Sequence, residues 1–400
     1  MATSAIGPRV LNKSPTMGCV FLMVAAFSFA AWVAPSRAQV STPYVVMGYN
    51  DLGMHCMNSD FSEMLILPPF NTLHAQVIRR ADDPQIITAG VTVRYIVPGT
   101  TRAADKFNFW AHSYPTLGGA PAPDTGLAGT KLSGTMTVNP SNDWQALVIP
   151  MVPMDDNGRE NPYSLALITV TQGATVLART QVVVPVSTEM SCQLCHKTPG
   201  ISTASDILSA HDRLHATTLM AQRPVLCADC HSDNALGLPG QPGVSSLSQA
   251  MHTAHASRMQ SITLERVCYV CHPGVRTQCQ RDVHYLNNIK CVDCHGDMAA
   301  VGSPSRIPWV NEPRCSGTCH NNRPGFQYEQ PGTLYRNSVG HSNVHCEACH
   351  GSPHAIVPAA TEVDNLQTLT LQGHAGQIDT CAVCHVTHPT DPFFHQVNEP

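Results

Sequence analysis

From about residue 40 to residue 188 the chain alternates apolar and polar positions in short runs. Tyr44-Val-Val-Met47, Leu73-His-Ala-Gln-Val-Ile78 and the stretches 91–97, 132–138, 144–149, 164–170 and 174–186 are period-two or β-branched. Each is bounded by Gly, Pro, Asn or Asp, as strands bounded by turns are. Seven or so short strands without helical periodicity predict an all-β, immunoglobulin-like sandwich over 39–188. Such a domain buries its own core.

Ahead of it, residues 1–38 read as an export signal. Arg9 and Lys13 precede an apolar run from Met17 to Ala34, and Ser36-Arg37-Ala38 is a small-x-small cleavage site. Cleavage after Ala38 is expected, with an uncleaved membrane anchor as the alternative for a run of about 18 apolar residues. The segment holds three basic residues and no acidic one, so the net charge of −5 becomes −8 in the mature chain.

Beyond residue 188 both patterns fade, and one motif organises the chain. It recurs as Cys192-Gln-Leu-Cys195-His196, Cys227-Ala-Asp-Cys230-His231, Cys268-Tyr-Val-Cys271-His272, Cys291-Val-Asp-Cys294-His295, Cys315-Ser-Gly-Thr-Cys319-His320, Cys346-Glu-Ala-Cys349-His350 and Cys381-Ala-Val-Cys384-His385. Six read CxxCH and one CxxxCH. CxxCH is the attachment site of a c-type haem, with two thioethers to the porphyrin and the following imidazole as proximal iron ligand. Paired CxxC motifs can also close a zinc site or form a redox pair, but neither explains a His after every second Cys. Residues 189–400 are therefore expected to be a heptahaem c-type cytochrome domain. Its motifs should sit on short helices linked by loops such as Leu238-Pro-Gly-Gln-Pro-Gly243 and Arg323-Pro-Gly325. With few apolar runs between motifs, stacked porphyrins must supply much of the interior.

The chain has 21 His, and eleven besides the proximal seven lie in this region. His211, His215, His252, His255, His284, His341, His345, His354 and His374 are the candidate distal ligands; His388 and His395 complete the eleven. His211 and His252 each precede a motif by sixteen residues, and His284 and His374 by seven. Bis-His ligation would leave no open iron and make each haem a carrier of single electrons. Met220, Met251, Met259 and Met298 are the alternative distal ligands, though ordinary packing explains them.

Fourteen of the 17 Cys belong to motifs. Cys19 would leave with the signal, so Cys56 and Cys279 remain, and in an oxidising compartment an even pair predicts a disulfide. Alternatives are a copper site at Met54, His55, Cys56 and Met57, or His55 or His74 reaching a haem from the strand region. Asp155-Asp156-Asn157-Gly158 reads as a turn before it reads as a calcium site. The acidic balance excludes the basic character of a nucleic-acid binder; haem propionates would deepen it, which suits cationic or electrostatically steered partners.

The motif series, with Cys271-His-Pro-Gly-Val-Arg-Thr-Gln-Cys279, Cys349-His-Gly-Ser-Pro-His354 and Tyr49-Asn-Asp-Leu-Gly-Met-His-Cys56, resembles the large multihaem c-type cytochromes of metal-reducing and other anaerobic bacteria. The resemblance covers most of the mature chain, and the CxxxCH spacing departs from it. It implies an exported electron-transfer protein, periplasmic or at the outer membrane and beyond. Its partners would be other cytochromes or a quinone-linked donor, in an anaerobic or extracellular relay. A multihaem reductase with one open iron, acting on a nitrogen, sulfur or metal oxyanion, is the alternative. An adhesion module or a self-assembling subunit is a third reading, and membrane association is compatible with each.

Overall fold

A computed structural model describes residues 42–117, 119, 121–260, 267–315, 319–320, 328–330, 332–390 and 395. The expected export signal with Cys19, and the loop Arg323-Pro-Gly325, lie outside the described residues. Up to residue 187 the chain forms β1 (Tyr44–Tyr49), β2 (His55–Cys56), β3 (Met64–Leu65), β4 (Asn71–Arg79), β5 (Gln85–Ile86), β6 (Thr92–Ile96), α1 (Phe109–Leu117), β7 (Ser133–Thr135), β8 (Thr137–Asn139), β9 (Asp143–Ile149), β10 (Leu165–Gln172), β11 (Thr175–Val183) and β12 (Val186–Ser187). Beyond it come α2 (Thr203–His215), β13 (Val225–Leu226), α3 (Leu247–Ala256), α4 (Val283–Leu286), α5 (Cys291–His295), α6 (Met298–Val301), α7 (Cys346–His350) and α8 (Glu362–Gln372).

Two antiparallel sheets carry the strand region, in the orders β1-β4-β9-β8, with β5 on β4, and β11-β10-β6-β7. The alternation read from the sequence is visible in β10, where Ala166, Ile168 and Val170 are buried and their neighbours are half-buried. Val46, Leu73, Ala75 and Val77 of one sheet and Val93, Tyr95, Ile168 and Val170 of the other join a single core. β1 comes so close to β10 that a Cβ at Gly48 would stand 2.7 Å from Ile168 Cδ1. The helix α1 corrects the expectation of an all-β region. Phe109 packs edge-on against Phe61 at 5.1 Å, and Trp110 Nε1 donates to Thr125 O at 2.9 Å. Local aromatic packing thus overrides the strand pattern around it.

The continuous apolar run of β1 has a cause in its surroundings. Val46 faces the main core, while Val45, Met47 and Tyr49 join Ile78 against Ala348, Leu371 and Val383 from the motif region. A strand buried on both faces cannot alternate. Short parallel pairs, β12 on β2 and β13 on β3, weave the ends together, and the described residues cluster into one unit.

Polar anchors do the rest of the joining. Glu189 accepts from the backbone N–H groups of Val275, Arg276 and Thr277 and from the Thr277 hydroxyl. Arg281, fully buried, forks onto Asp364 with Nε and Nη2 at 2.7 and 3.0 Å and lies over the Tyr163 ring. Bidentate geometry of this kind is what makes a buried charge tolerable. Helix starts follow the usual chemistry, Ser202 and Ser246 capping α2 and α3 through their hydroxyls.

Candidate metal centres

Six of the seven motifs fold as a single helical turn. In the first, Cys195 N–H and His196 N–H both donate to Cys192 O, at 3.1 and 2.9 Å; the motifs at Cys227, Cys268 and Cys381 repeat this. The motifs at Cys291 and Cys346 are α5 and α7 themselves, ended by Gly296 and Gly351 at φ of +74° and +90°. On such a turn positions i, i+3 and i+4 share one face, so CxxCH presents two thiols and an imidazole together. Within the CxxxCH motif, residues 316–318 lie outside the described residues.

Each motif imidazole faces one other imidazole. His196 stands 6.4 Å from His255 between ring centres, His231 6.3 Å from His211, and His272 6.1 Å from His252. His295 is 6.0 Å from His354, His320 6.1 Å from His284, His350 5.8 Å from His395, and His385 6.0 Å from His341. Two imidazoles on opposite sides of one metal atom, each bonded at about 2 Å, have ring centres about 6 Å apart. Interplanar angles range from 9° to 83°, as rings free to turn about a metal–nitrogen axis allow. The residues fit a haem iron held from both faces.

The nitrogens support the same reading. His231 Nδ1 donates to Ser245 O at 2.8 Å, His252 Nδ1 to Ser248 O at 2.7 Å, His255 Nδ1 to Met251 O at 2.7 Å and His385 Nδ1 to Asp82 O at 3.0 Å. A carbonyl only accepts, so Nδ1 carries the proton and Nε2 keeps the lone pair that binds metal. His284 Nδ1 meets Asp282 Oδ2 at 3.0 Å and His211 Nδ1 meets Thr217 Oγ1 at 2.9 Å. Fixing one ring nitrogen to orient the other is the usual support of a metal-bound histidine. Burial holds His272, His295 and His350 down to about 4, which favours the neutral, ligating form.

Three expected distal ligands stand elsewhere, facing no motif imidazole among the described residues. His345 sends Nε2 to Ser141 O at 2.9 Å, and His374 sends Nε2 to Asp379 Oδ1 at 2.9 Å, so in both the metal-binding nitrogen is already engaged. His215 ends α2 beside His211, 4.8 Å away. His395, left outside the expected ligand set, takes the place facing His350. Its position in the C-terminal tail gave no spacing signal.

The strand-region candidates are committed to other work. His55 Nε2 bonds Pro68 O at 2.9 Å, with its ring against Phe70 and its pKa lowered to about 4 by burial. His74 Nδ1 pairs with Asp143 at 2.7 Å. Asp155 accepts from the Asn157 and Arg159 N–H groups of its turn, and Asp156 binds Lys106 and Thr101. Among the described residues no group of three or more His, Cys, Asp or Glu is placed to hold a bare metal ion. Cys56 and Cys279 are unbridged. Cys279 Sγ lies 4.0 Å from His354 Nδ1, and burial, then Cys279, push the Cys56 thiol up.

No family model, no curated protein and no solved structure matches this chain. The centres are therefore read from their own geometry, and their succession is legible in it. Ser191 N–H donates to Val270 O at 3.0 Å, joining the first motif to the third, and α3 carries both His255 and His252, the imidazoles that face His196 and His272. Cys268 and Cys291 share a hydrogen bond that lowers Cys268, joining the third to the fourth. Burial, then Cys319, raises Cys294. Tyr328 lies between His320 and His395, 5.8 and 5.6 Å from each, joining the fifth to the sixth. Cys349 Sγ meets Ile378 O at 3.3 Å on the way to the seventh.

Proposed function

We propose that the chain is an exported multihaem c-type cytochrome carrying single electrons along seven covalently attached haems. The observation that carries this reading is the set of seven imidazole pairs at 5.8–6.4 Å, one pair for each motif. When bound, a haem supplies one-electron chemistry whose potential is set by axial ligands, burial and nearby charge. The chain's own part is structural. Paired thiols anchor each group, and His196, His231, His272, His295, His320, His350 and His385 ligate one face. His255, His211, His252, His354, His284, His395 and His341 fill the other face in the same order. With both faces filled, no position is left for a substrate, which favours a conduit over a reductase.

In this reading the two sheets are an immunoglobulin-like sandwich and residues 189–400 the cytochrome domain. Its contacts from the first motif through the third to the seventh make a series rather than isolated centres. The donor would be another cytochrome or a quinone-linked protein, in an anaerobic or extracellular relay, with the chain in the periplasm or beyond the outer membrane.

The deciding experiment is low-temperature EPR with optical spectra and a haem count on the oxidised holoprotein. Seven haems, all low-spin and unmoved by nitrite, sulfite or cyanide, are expected. A high-spin fraction worth one haem that shifts on ligand addition would make the reductase the better reading.

A further inference from the structure

One side chain of the sixth motif has no role in attachment or ligation. Glu347 lies between Cys346 and Cys349, three residues before His350, and is 0% exposed. Neither carboxylate oxygen has a hydrogen-bond partner. An unpartnered buried acid is expensive, so its surroundings must explain it.

Those surroundings come from five other segments. After β1 stand Tyr49 and Asp51, and one oxygen of Asp51 is likewise buried without a partner. β4 supplies His74 and β9 supplies Asp143. Asp143 accepts from His74 Nδ1 at 2.7 Å and from the Tyr49 hydroxyl at 3.0 Å, and these bonds keep it ionised against the burial that opposes them. The turn at 335–337 adds Tyr335, whose hydroxyl donates to Gly351 O at 2.7 Å, and Arg336, which lies over Trp309 and 3.5 Å from Glu312. His74 and Arg336 both face Asp51, Arg306 and His354 join Arg336 in facing Glu312, and Arg336 faces Glu347. Glu347, fully buried and without a hydrogen bond, and Asp51 with one buried unpartnered oxygen cannot both ionise at low cost. At least one proton resides there: burial, then repulsion from Asp51, raises Glu347, and burial raises Asp51 against the pull of His74 and Arg336.

We propose that Glu347 and Asp51 form a proton-loading site coupled to the centre held by His350 and His395. This rests on the haem reading. When one electron from an external one-electron donor reaches that centre, one proton from solvent converts one carboxylate of the pair to a carboxylic acid. Charge in the pocket is then unchanged, the electron's −1 being matched by the proton's +1. The coupling is strong because Glu347 is on the turn that anchors the group, in a medium of low dielectric. The two acids titrate as a unit, so the proton belongs to the pair.

The test uses full-length holoprotein, wild type against Glu347→Gln and Asp51→Asn, with haem count and low-spin spectra checked first. Electrochemical reduction in weak buffer with a pH indicator counts protons taken up, and oxidised-minus-reduced infrared spectra report protonated carboxyls. Wild type should take up more protons than Glu347→Gln, by as much as one at the pH of strongest coupling. The carboxyl band should vanish in Glu347→Gln and shift in Asp51→Asn. Equal uptake and unchanged bands, with seven low-spin haems intact, would overturn the proposal and leave the haem reading standing. Absence of haem would overturn both. Should Glu347→Gln fail to load, wild type decides through its infrared spectrum, where no carboxyl band on reduction would refute the site.

Discussion

The strand region and the motif region are stabilised in different ways. Before residue 189 the described chain buries 34 apolar side chains; beyond it, over a longer stretch, it buries twelve. α3 buries none of its residues, yet it aligns two histidines on two different motif imidazoles. Where side chains fill one interior, the hydrophobic effect selects period-two runs. Where, on the haem reading proposed above, imidazole pairs and thiols would fill the other with a cofactor, the chain is selected for ligand geometry.

The largest expected consequence concerns the cofactor itself. Produced without haem attachment, the chain should lose protease protection and helical signal over 189–400, while residues 44–187 keep a cooperative sheet signal. Limited proteolysis with mass spectrometry and circular dichroism would show this. Equal protection of both regions would dissolve the contrast.

A smaller effect separates the regions by truncation. Leu73→Ala, fully buried in β4, should cost about 2–5 kcal/mol. Leu214→Ala, 58% exposed on α2, should stay within about 0.5 kcal/mol. Denaturant unfolding of the holoprotein measures both. An equal loss would mean that α2 is packed as tightly as the sheets.

Legibility followed the same divide. β10 showed its alternation because only one of its faces is buried, and the motifs stood out because Cys, Cys and His recur together, six times at one spacing and once with an extra residue. β1 hid its second contact, since a run such as Val45-Val46-Met47 fits any doubly buried strand. The surplus of histidines was recognisable. Their pairing was not, because it depends on which ring nitrogen the surroundings have already engaged. His345 abuts a motif and looked well placed, yet its Nε2 is held by Ser141 O from 204 residues away. His395 sits alone in sequence and faces His350.

That distinction can be sharpened by substitution. His255→Ala should open one centre in seven, adding a high-spin EPR signal and cyanide binding with little change in the sheets. His345→Ala should leave every centre low-spin and cost about 1–3 kcal/mol by stranding the Ser141 carbonyl and emptying the space beside Tyr49. A high-spin signal from the second variant, with none from the first, would exchange their roles.

The smallest effect is the acid response of the strand region. Burial works against it, but hydrogen bonds from Lys106 Nζ and from the Thr101 N–H and hydroxyl hold Asp156 down at about 2, from 3.8. A folded value below the unfolded one means that folding favours the ionised carboxylate. The stabilisation is therefore present above about pH 4 and is lost as pH falls through the window from about 4 to about 2. Asp156 is a quarter exposed, so solvent screening reduces the expected contribution to about 1 kcal/mol. Asp156→Asn should flatten the loss of sheet stability across that window without shifting it above pH 5, as urea unfolding at stepped pH would show. If the slope persists in the variant, the strand region's acid sensitivity resides instead in Asp143, whose bonds to His74 and Tyr49 tie β9 to β4 and β1 within one sheet.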